Sequence, residues 1–388
     1  MTFSRRLVLG AGAATLSFPA LSWGQANAEK KLVLIVLRGG LDGLAALPPI
    51  GDPDYIRMRG RLAQQGALPL DATFALHPRL VNFQALYQAG ELLPVHACAT
   101  AYRERSHFDA QNVLETGEAR PFGRDSGWLN AALGAVRHRS GGARGLALSA
   151  QAPLVLRGTT DVATWSPSNL RAPDGDTIAR LMDLYERRDP ALATALQGAI
   201  GANDLADSAD QGAARGQRGI ANLARVCATF LRQADGPTAA VIEMSGWDTH
   251  ANQGLEQGAL ARSLGALDEG LDTLKSELGP TWRDTLVVIV TEFGRTVAPN
   301  GAGGTDHGTA TAAFLAGGRV AGGRMLTDWP GLSERALLER RDLRPTTDLR
   351  AVLKGVLADH LGIADAALAR DVFPESSALR PVQGLLRA

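Results

Sequence analysis

Four places in the chain set Asp, Glu, His or Ser directly behind an apolar run, in patterns that suit metal or phosphoryl chemistry. In the first, the run ends in Arg38-Gly39-Gly40-Leu41-Asp42-Gly43. The glycines permit a sharp turn there and leave Asp42 as a carboxylate that can ligate a metal or cap its own turn. The second, Arg103-Glu104-Arg105-Ser106-His107-Phe108-Asp109-Ala110-Gln111, brings a hydroxyl, an imidazole and a carboxylate together with arginines alongside. At a helix N-terminus, where free N–H groups favour negative charge, this suits a nucleophile or an anion site; Ser106 as a plain N-cap is the other reading. The third, from Glu243 through Ser245-Gly246-Trp247-Asp248-Thr249-His250 to Gln253, pairs a hard oxygen with a nitrogen, the donor mix of zinc, manganese or iron sites. Its alternative is a capping Asp with a surface His. The fourth runs Thr291-Glu292-Phe293-Gly294-Arg295-Thr296 and then Gly303-Gly304-Thr305-Asp306-His307-Gly308-Thr309. Taken together, the four junctions read as one polar site.

A set of junctions like this needs strands that end on one edge. Residues 32–37, 239–244 and 286–290 are continuous Val- and Ile-rich runs, as expected of strands buried on both faces of a parallel sheet. Residues 92–97 and 312–316 read as further strands. Helical patterns fall between them at 78–88, 128–136, 177–200, 220–231, 255–278 and 348–361. The alternation predicts a doubly wound, mostly parallel α/β sheet flanked by helices, with ligands at the carboxyl ends of its strands. Residues 165–176 and 201–217, rich in Gly, Ala, Asp, Asn, Ser and Pro, read as loops or a cap on that domain.

The 388 residues supply ample core for such a domain, and 44 glycines exceed the ordinary share of roughly 7%. With 40 basic residues against 40 acidic ones there is no field to hold a nucleic-acid backbone. Ser4-Arg5-Arg6, an Ala-rich apolar run to about Ala20 and the small-residue pattern Ala26-Asn27-Ala28 read as a twin-arginine signal peptide over 1–28. The expected mature chain is therefore residues 29–388, exported folded by the twin-arginine machinery to the periplasm, with no stable membrane span. Export in the folded state is itself a hint of a metal inserted beforehand. Cys98 and Cys227, the two cysteines, read as buried thiols, with a single bridge open as an alternative. His77, His96, His138 and His360 read as packing, loop or surface histidines.

The motifs LRGGLDGL, RSHFDAQNVLETG, SGWDTHANQ, VTEFGRT and GGTDHGTA, in this order behind a twin-arginine signal, resemble an exported bacterial family known as domain of unknown function 1501. That family is grouped with the alkaline phosphatase and sulfatase superfamily. The resemblance implies a hydroxyl nucleophile and Asp/His ligands for one or two divalent metals such as zinc, manganese or calcium. Position by position, it assigns Asp42, Asp248, His250, Glu292 and His307 to the metal site, with Asp306 as a further candidate ligand. Ser106 falls at the nucleophile, with His107 beside it and Arg105 or Arg295 balancing the charge of a transferring phosphoryl or sulfuryl group. The chain departs from the superfamily at Phe293, where a ligand His commonly follows the acid, and in the two-position spacing of Asp248 and His250. With these departures the residues are compatible with two metals, one or none. The implied activity is hydrolysis of a small anionic ester. The alternatives are a non-catalytic periplasmic protein that binds a ligand or protein partner on the same fold, and an acyl hydrolase using Ser106, for which the GxSxG elbow is absent.

Overall fold

The computed structural model describes residues 30–136, 142–167, 174–210 and 219–387. The signal peptide and His138 lie outside these described residues. The described residues include ten strands: β1 (Lys31–Arg38), β2 (Leu68–Pro69), β3 (Ala75–Leu76), β4 (Leu92–Ala99), β5 (Gly145–Ala147), β6 (Val162–Thr164), β7 (Ala239–Ser245), β8 (Thr285–Thr291), β9 (Thr311–Ala316) and β10 (Thr347–Asp348). All but the small β2–β3 pair belong to one eight-stranded sheet of order β10-β4-β9-β8-β1-β7-β5-β6. Strands β6, β5, β7, β1 and β8 pair in parallel, and β10 is parallel to β4. Only β9 runs against its neighbours β4 and β8. The expected mostly parallel sheet is present, and among the described strands the Ala-rich run at 311–316 is its antiparallel member.

The continuous apolar strands are explained by burial on both faces. Along β1, Val33, Ile35 and Leu37 enter one core while Leu32, Leu34 and Val36 enter the other. The first core is closed by helices α3 (Val81–Gln88), α8 (Ile220–Leu231) and α9 (Ala259–Leu278). Helices α5 (Trp128–Ala135) and α10 (Leu349–Leu361) close the second. The remaining helices are α1 (Gly43–Ala46), α2 (Tyr55–Arg59), α4 (His107–Thr116), α6 (Gly175–Arg188), α7 (Pro190–Asp210) and the short α11 (Asp365–Ala367). No helix among the described residues is long and apolar enough to cross a membrane.

Two expectations are corrected. The helix read over 177–200 is divided at Asp189-Pro190, because proline disfavours a helical residue before it and starts a new first turn; Asp189 accepts from Leu192 N at its head. Residues 201–210, read as loop, continue α7, as their alanines allow. Cys98 and Cys227 are free and buried in different cores, on opposite faces of the sheet, with burial pushing both thiols up to about 12. His96 and His360 are likewise interior groups, bonded to the carbonyls of Leu47 and Lys31 and held by burial at about 4.

Candidate metal centre

Beyond Arg38 the chain turns at Gly39 and Gly40, both at positive φ. A Cβ on Gly39 would stand 2.5 Å from the backbone nitrogen of Asp248, so only glycine lets the end of β1 approach the loop after β7 this closely. The Gly39 N–H donates to Glu292 Oε1 at 2.8 Å. Glu292, which leaves β8 and is fully buried, also accepts from Gln111 Nε2 at 3.0 Å and from His107 Nδ1 at 2.9 Å. His107 and Gln111 stand one turn apart on α4, so the helix presents both to one carboxylate. Burial alone would raise Glu292, but the His107 and Gln111 bonds outweigh it and hold its carboxyl below the ordinary value. The same bond lifts His107 above the usual imidazole range.

With Nδ1 fixed on Glu292, the opposite nitrogen of His107 points to Asp248, 3.6 Å from Oδ2. It is buried and has no hydrogen-bond partner. His250 and His307 repeat the arrangement. His250 Nδ1 faces Asp306 Oδ1 at 3.3 Å, and its Nε2 lies 3.1 Å from Asp248 Oδ1. His307 Nδ1 donates to the Arg105 carbonyl at 2.9 Å, and its Nε2 lies 3.3 Å from the same Asp248 oxygen. Because each Nδ1 faces an acceptor, each carries the proton, and a neutral ring then turns a bare lone pair inward. The Nε2 atoms of His250 and His307 are 2.9 Å apart. Two lone pairs at that distance, next to a carboxylate, repel unless a cation or proton lies among them.

The donor set suits a divalent metal. Ligand atoms of His107, Asp248 and His307 all lie within 4.8 Å of one another, and His250 joins them through the contacts above. Ligand atoms on one tetrahedral zinc stand roughly 3.3 Å apart, near the middle of these spacings. Outer acceptors on ligand histidines are a common feature of such sites, since they fix tautomer and ring direction. Arg295, buried, donates to Asp248 Oδ1 at 2.6 Å; burial opposes the Asp248 charge, and the arginine still draws it below the usual carboxylate range. Burial, with the charges of His107 and Arg295, lowers His307. Phe293 packs against the rings of His107 and His307 at 4.8 and 5.0 Å and forms an apolar wall.

The structure thus places His107, Asp248, His250 and His307 innermost, with Glu292 and Asp306 behind the histidines. Asp42 lies outside this group: Oδ2 accepts from Arg59 Nη2 and Gln253 Nε2, each at 2.6 Å, and Oδ1 caps α1 by accepting from Ala45 N. It connects to the centre through Gln253, whose carbonyl oxygen accepts from Thr305 Oγ1, itself bonded to Arg295. Arg105 directs its guanidinium away, to buried Asp342 and to Glu339, and serves the centre through its backbone carbonyl. Ser106 is the N-cap residue of α4 but makes no side-chain capping bond; its hydroxyl interacts with the Tyr102 phenol, which donates to Asp109 at 2.9 Å. Gln111, Gln253 and Thr305 stand inside the motifs but were given no role from sequence, and neither was Asn300, whose Nδ2 donates to Asp306 Oδ1 at 2.9 Å. Of these, Gln111 had a legible signal, four residues after His107 on a helix.

Several solved structures are similar to this chain in fold at low sequence identity. Ps i-CgsB in complex with a neocarrahexaose is 11% identical, over 92% of this chain and 75% of that one, with a TM-score of 0.45. The C-terminal periplasmic domain of EcEptC from Escherichia coli is 11% identical over 92% and 87%, with a TM-score of 0.43. The lipoteichoic acid synthase LtaP from Listeria monocytogenes is 9% identical over 91% and 76%, with a TM-score of 0.41. No curated protein matches the sequence. The profile of the protein of unknown function family DUF1501 matches residues 97–373, a span that holds His107, Asp248, His250, Glu292, Asp306 and His307, and the chain belongs to that family.

Proposed function

We propose that the chain is a divalent-metal-dependent hydrolase of phosphate or sulfate esters, exported by the twin-arginine route and working in the periplasm. The observation that carries this reading is the convergence of three imidazole Nε2 atoms on Asp248, each ring fixed from behind by an acceptor. His107, Asp248, His250 and His307 would hold the metal. When bound, the metal supplies a Lewis acid that polarises an ester oxygen and lowers the pKa of a nearby hydroxyl. Glu292 keeps the proton of His107 on Nδ1, Asp306 that of His250 and the Arg105 carbonyl that of His307, and Arg295 offsets the charge of Asp248. Ser106 stands at the head of α4, where unpaired N–H groups favour an anion, with its hydroxyl unused by the helix. In this reading Ser106 Oγ attacks phosphorus or sulfur, its proton passes to solvent, the ester bond to the alcohol breaks, and water then releases the anion from the serine.

The test combines elemental analysis of the purified mature chain with turnover of an aryl phosphate and an aryl sulfate. About one divalent ion per chain is expected, with turnover lost on chelation and in Ser106→Ala. A metal-replete chain that hydrolyses neither ester would sink the hydrolase reading and leave a metal-dependent binding protein. Full activity in Ser106→Ala would remove the nucleophile assignment. For export, replacing Arg5 and Arg6 by lysine should trap the precursor in the cytoplasm, and fractionation reads the outcome.

A further inference from the structure

A recess of about 330 Å³ is lined by Arg103, Arg105, Leu338, Glu339, Arg344 and Pro345. This is within the usual range of roughly 300–1,000 Å³ for small-molecule sites. Arg105 links it to the centre, since the Arg105 carbonyl accepts a hydrogen bond from His307 Nδ1. Each of its three guanidiniums is anchored by part of its donor set. Arg103 gives Nη1 to the carbonyls of Thr100 and Tyr102. Arg344 gives Nε and Nη2 to Ala336 and Leu337, at 2.9 and 3.0 Å. Arg105 gives Nε to buried Asp342 and shares Nη2 between Asp342 and Glu339. Among the described residues no hydrogen bond uses Nε or Nη2 of Arg103, Nη1 of Arg105 or Nη1 of Arg344. Three cations fixed in place with donors to spare form a preorganised anion clamp, because little side-chain freedom is left to lose on binding.

Buried Asp342 pairs with Arg105 at 2.8 Å; the acid among the residues lining the recess is Glu339, whose side chain is 62% exposed where it meets Arg105. An ion pair so open to water contributes little and gives way readily to a better-placed anion. Burial holds Arg103 below the ordinary arginine value, with Asp348 favouring its charge and Arg350 opposing it.

We propose that the Arg103, Arg105 and Arg344 recess is a second anion subsite, which selects esters carrying a further sulfate, phosphate or carboxylate group and in which Glu339 holds the place of that group when the site is free. The selection of substrate rests on the hydrolase reading given above; the binding of an anion does not.

Two measurements separate these. In the first, the full chain stripped of metal is titrated calorimetrically with inorganic sulfate. Arg103→Ala and Arg344→Ala should each weaken binding about tenfold, as loss of a charge-assisted contact does. Glu339→Gln should tighten it severalfold, and Arg324→Ala, a surface arginine elsewhere, should change nothing. Absence of sulfate binding, or equal loss in Arg324→Ala, overturns the subsite whether or not the protein is an enzyme. The second compares kcat/KM for carboxyphenyl phosphate with that for phenyl phosphate. The wild-type preference for the doubly anionic ester should collapse in Arg103→Ala and Arg344→Ala. An equal loss on both esters would overturn the role in selection, while no turnover on either counts against the hydrolase reading alone and leaves the titration to decide the subsite.

Discussion

Asp42 and Asp248 each follow a strand of the same parallel sheet, and their surroundings in the sequence are alike, glycine and an apolar residue leading into an acid. In the folded chain their environments are opposite. Asp42 is buried among donors, with Arg59 and Gln253 on one oxygen and the Ala45 N–H on the other. Asp248 is partly exposed and faces three imidazole nitrogens whose protons lie on their far sides, with Arg295 as its one strong donor. The first arrangement neutralises itself and holds α1 and α2 together. The second is left short of positive charge, which is the electrostatic condition for taking up a cation. A carboxylate behind a strand therefore declares its role through the polarity of the groups around it.

The largest effect should come from breaking the self-sufficient member. Asp42→Ala strands the wholly buried Arg59 guanidinium and should lower stability by about 3–5 kcal/mol, read from the urea midpoint. Restoring much of that loss in the double variant Asp42→Leu/Arg59→Met would confirm that the damage is an unpaired buried charge. Metal content per folded chain should stay as in the wild type. Loss of the metal in a folded Asp42 variant would mean that the two carboxylates belong to one centre after all.

Asp248→Asn and His307→Ala should do the reverse. Each removes an inward donor, so metal affinity should fall by more than the roughly 10–100-fold typical of outer contacts, while the chelated proteins unfold close to the chelated wild type. Competition with a chromogenic chelator measures the first and thermal melts of metal-free protein the second. Wild-type metal affinity in both variants would remove the centre.

The sheet and its polar edge were legible because burial on both faces leaves an unbroken apolar signal along β8 and the body of β1 and a shorter one at the start of β7, and because chain reversals after such strands tolerate few residue types. Strands β5 and β6, three residues each at the sheet margin, are too short to show a pattern. The division between inner and outer roles was not legible. Glu292 follows β8 as a ligand would, yet the packing of α4 places His107 between it and the centre, and no local spacing encodes that contact across 185 positions. Nor could Arg59 be foreseen as the partner of Asp42, since the two meet only when α2 folds back over the turn after β1.

That inner and outer order gives a smaller test. Glu292→Gln keeps the size of the side chain but weakens its hold on the His107 Nδ1 proton, so metal affinity at high pH should drop by about 10–100-fold. Metal uptake requires His107 to lose its Nε2 proton, and affinity therefore falls as pH drops through the raised His107 pKa. Removing the carboxylate lowers that pKa, so the pH midpoint of uptake should move down even as the plateau falls. A drop in affinity with no movement of the midpoint would place Glu292 directly on the metal.

The smallest effect on stability should belong to Ser106, and it refines the contrast between a residue whose side chain caps its helix and one whose side chain does not. Asp42 and Ser106 are both N-cap residues, of α1 and α4, but only Asp42 uses its side chain as a cap. An engaged Ser cap is worth about 1 kcal/mol, whereas a residue making no such bond usually changes stability by less than about 0.5 kcal/mol when truncated. Ser106→Ala should therefore shift the urea midpoint by no more than that smaller amount. Tyr102→Phe, which removes the phenol that touches both Ser106 and Asp109, gives a parallel measure of what the surrounding hydrogen bonds contribute. If Ser106→Ala costs a full cap, the hydroxyl is engaged in holding α4, and the argument that it stands free for chemistry loses its physical basis. If it costs almost nothing while ester turnover disappears, the serine is present for the reaction and not for the helix.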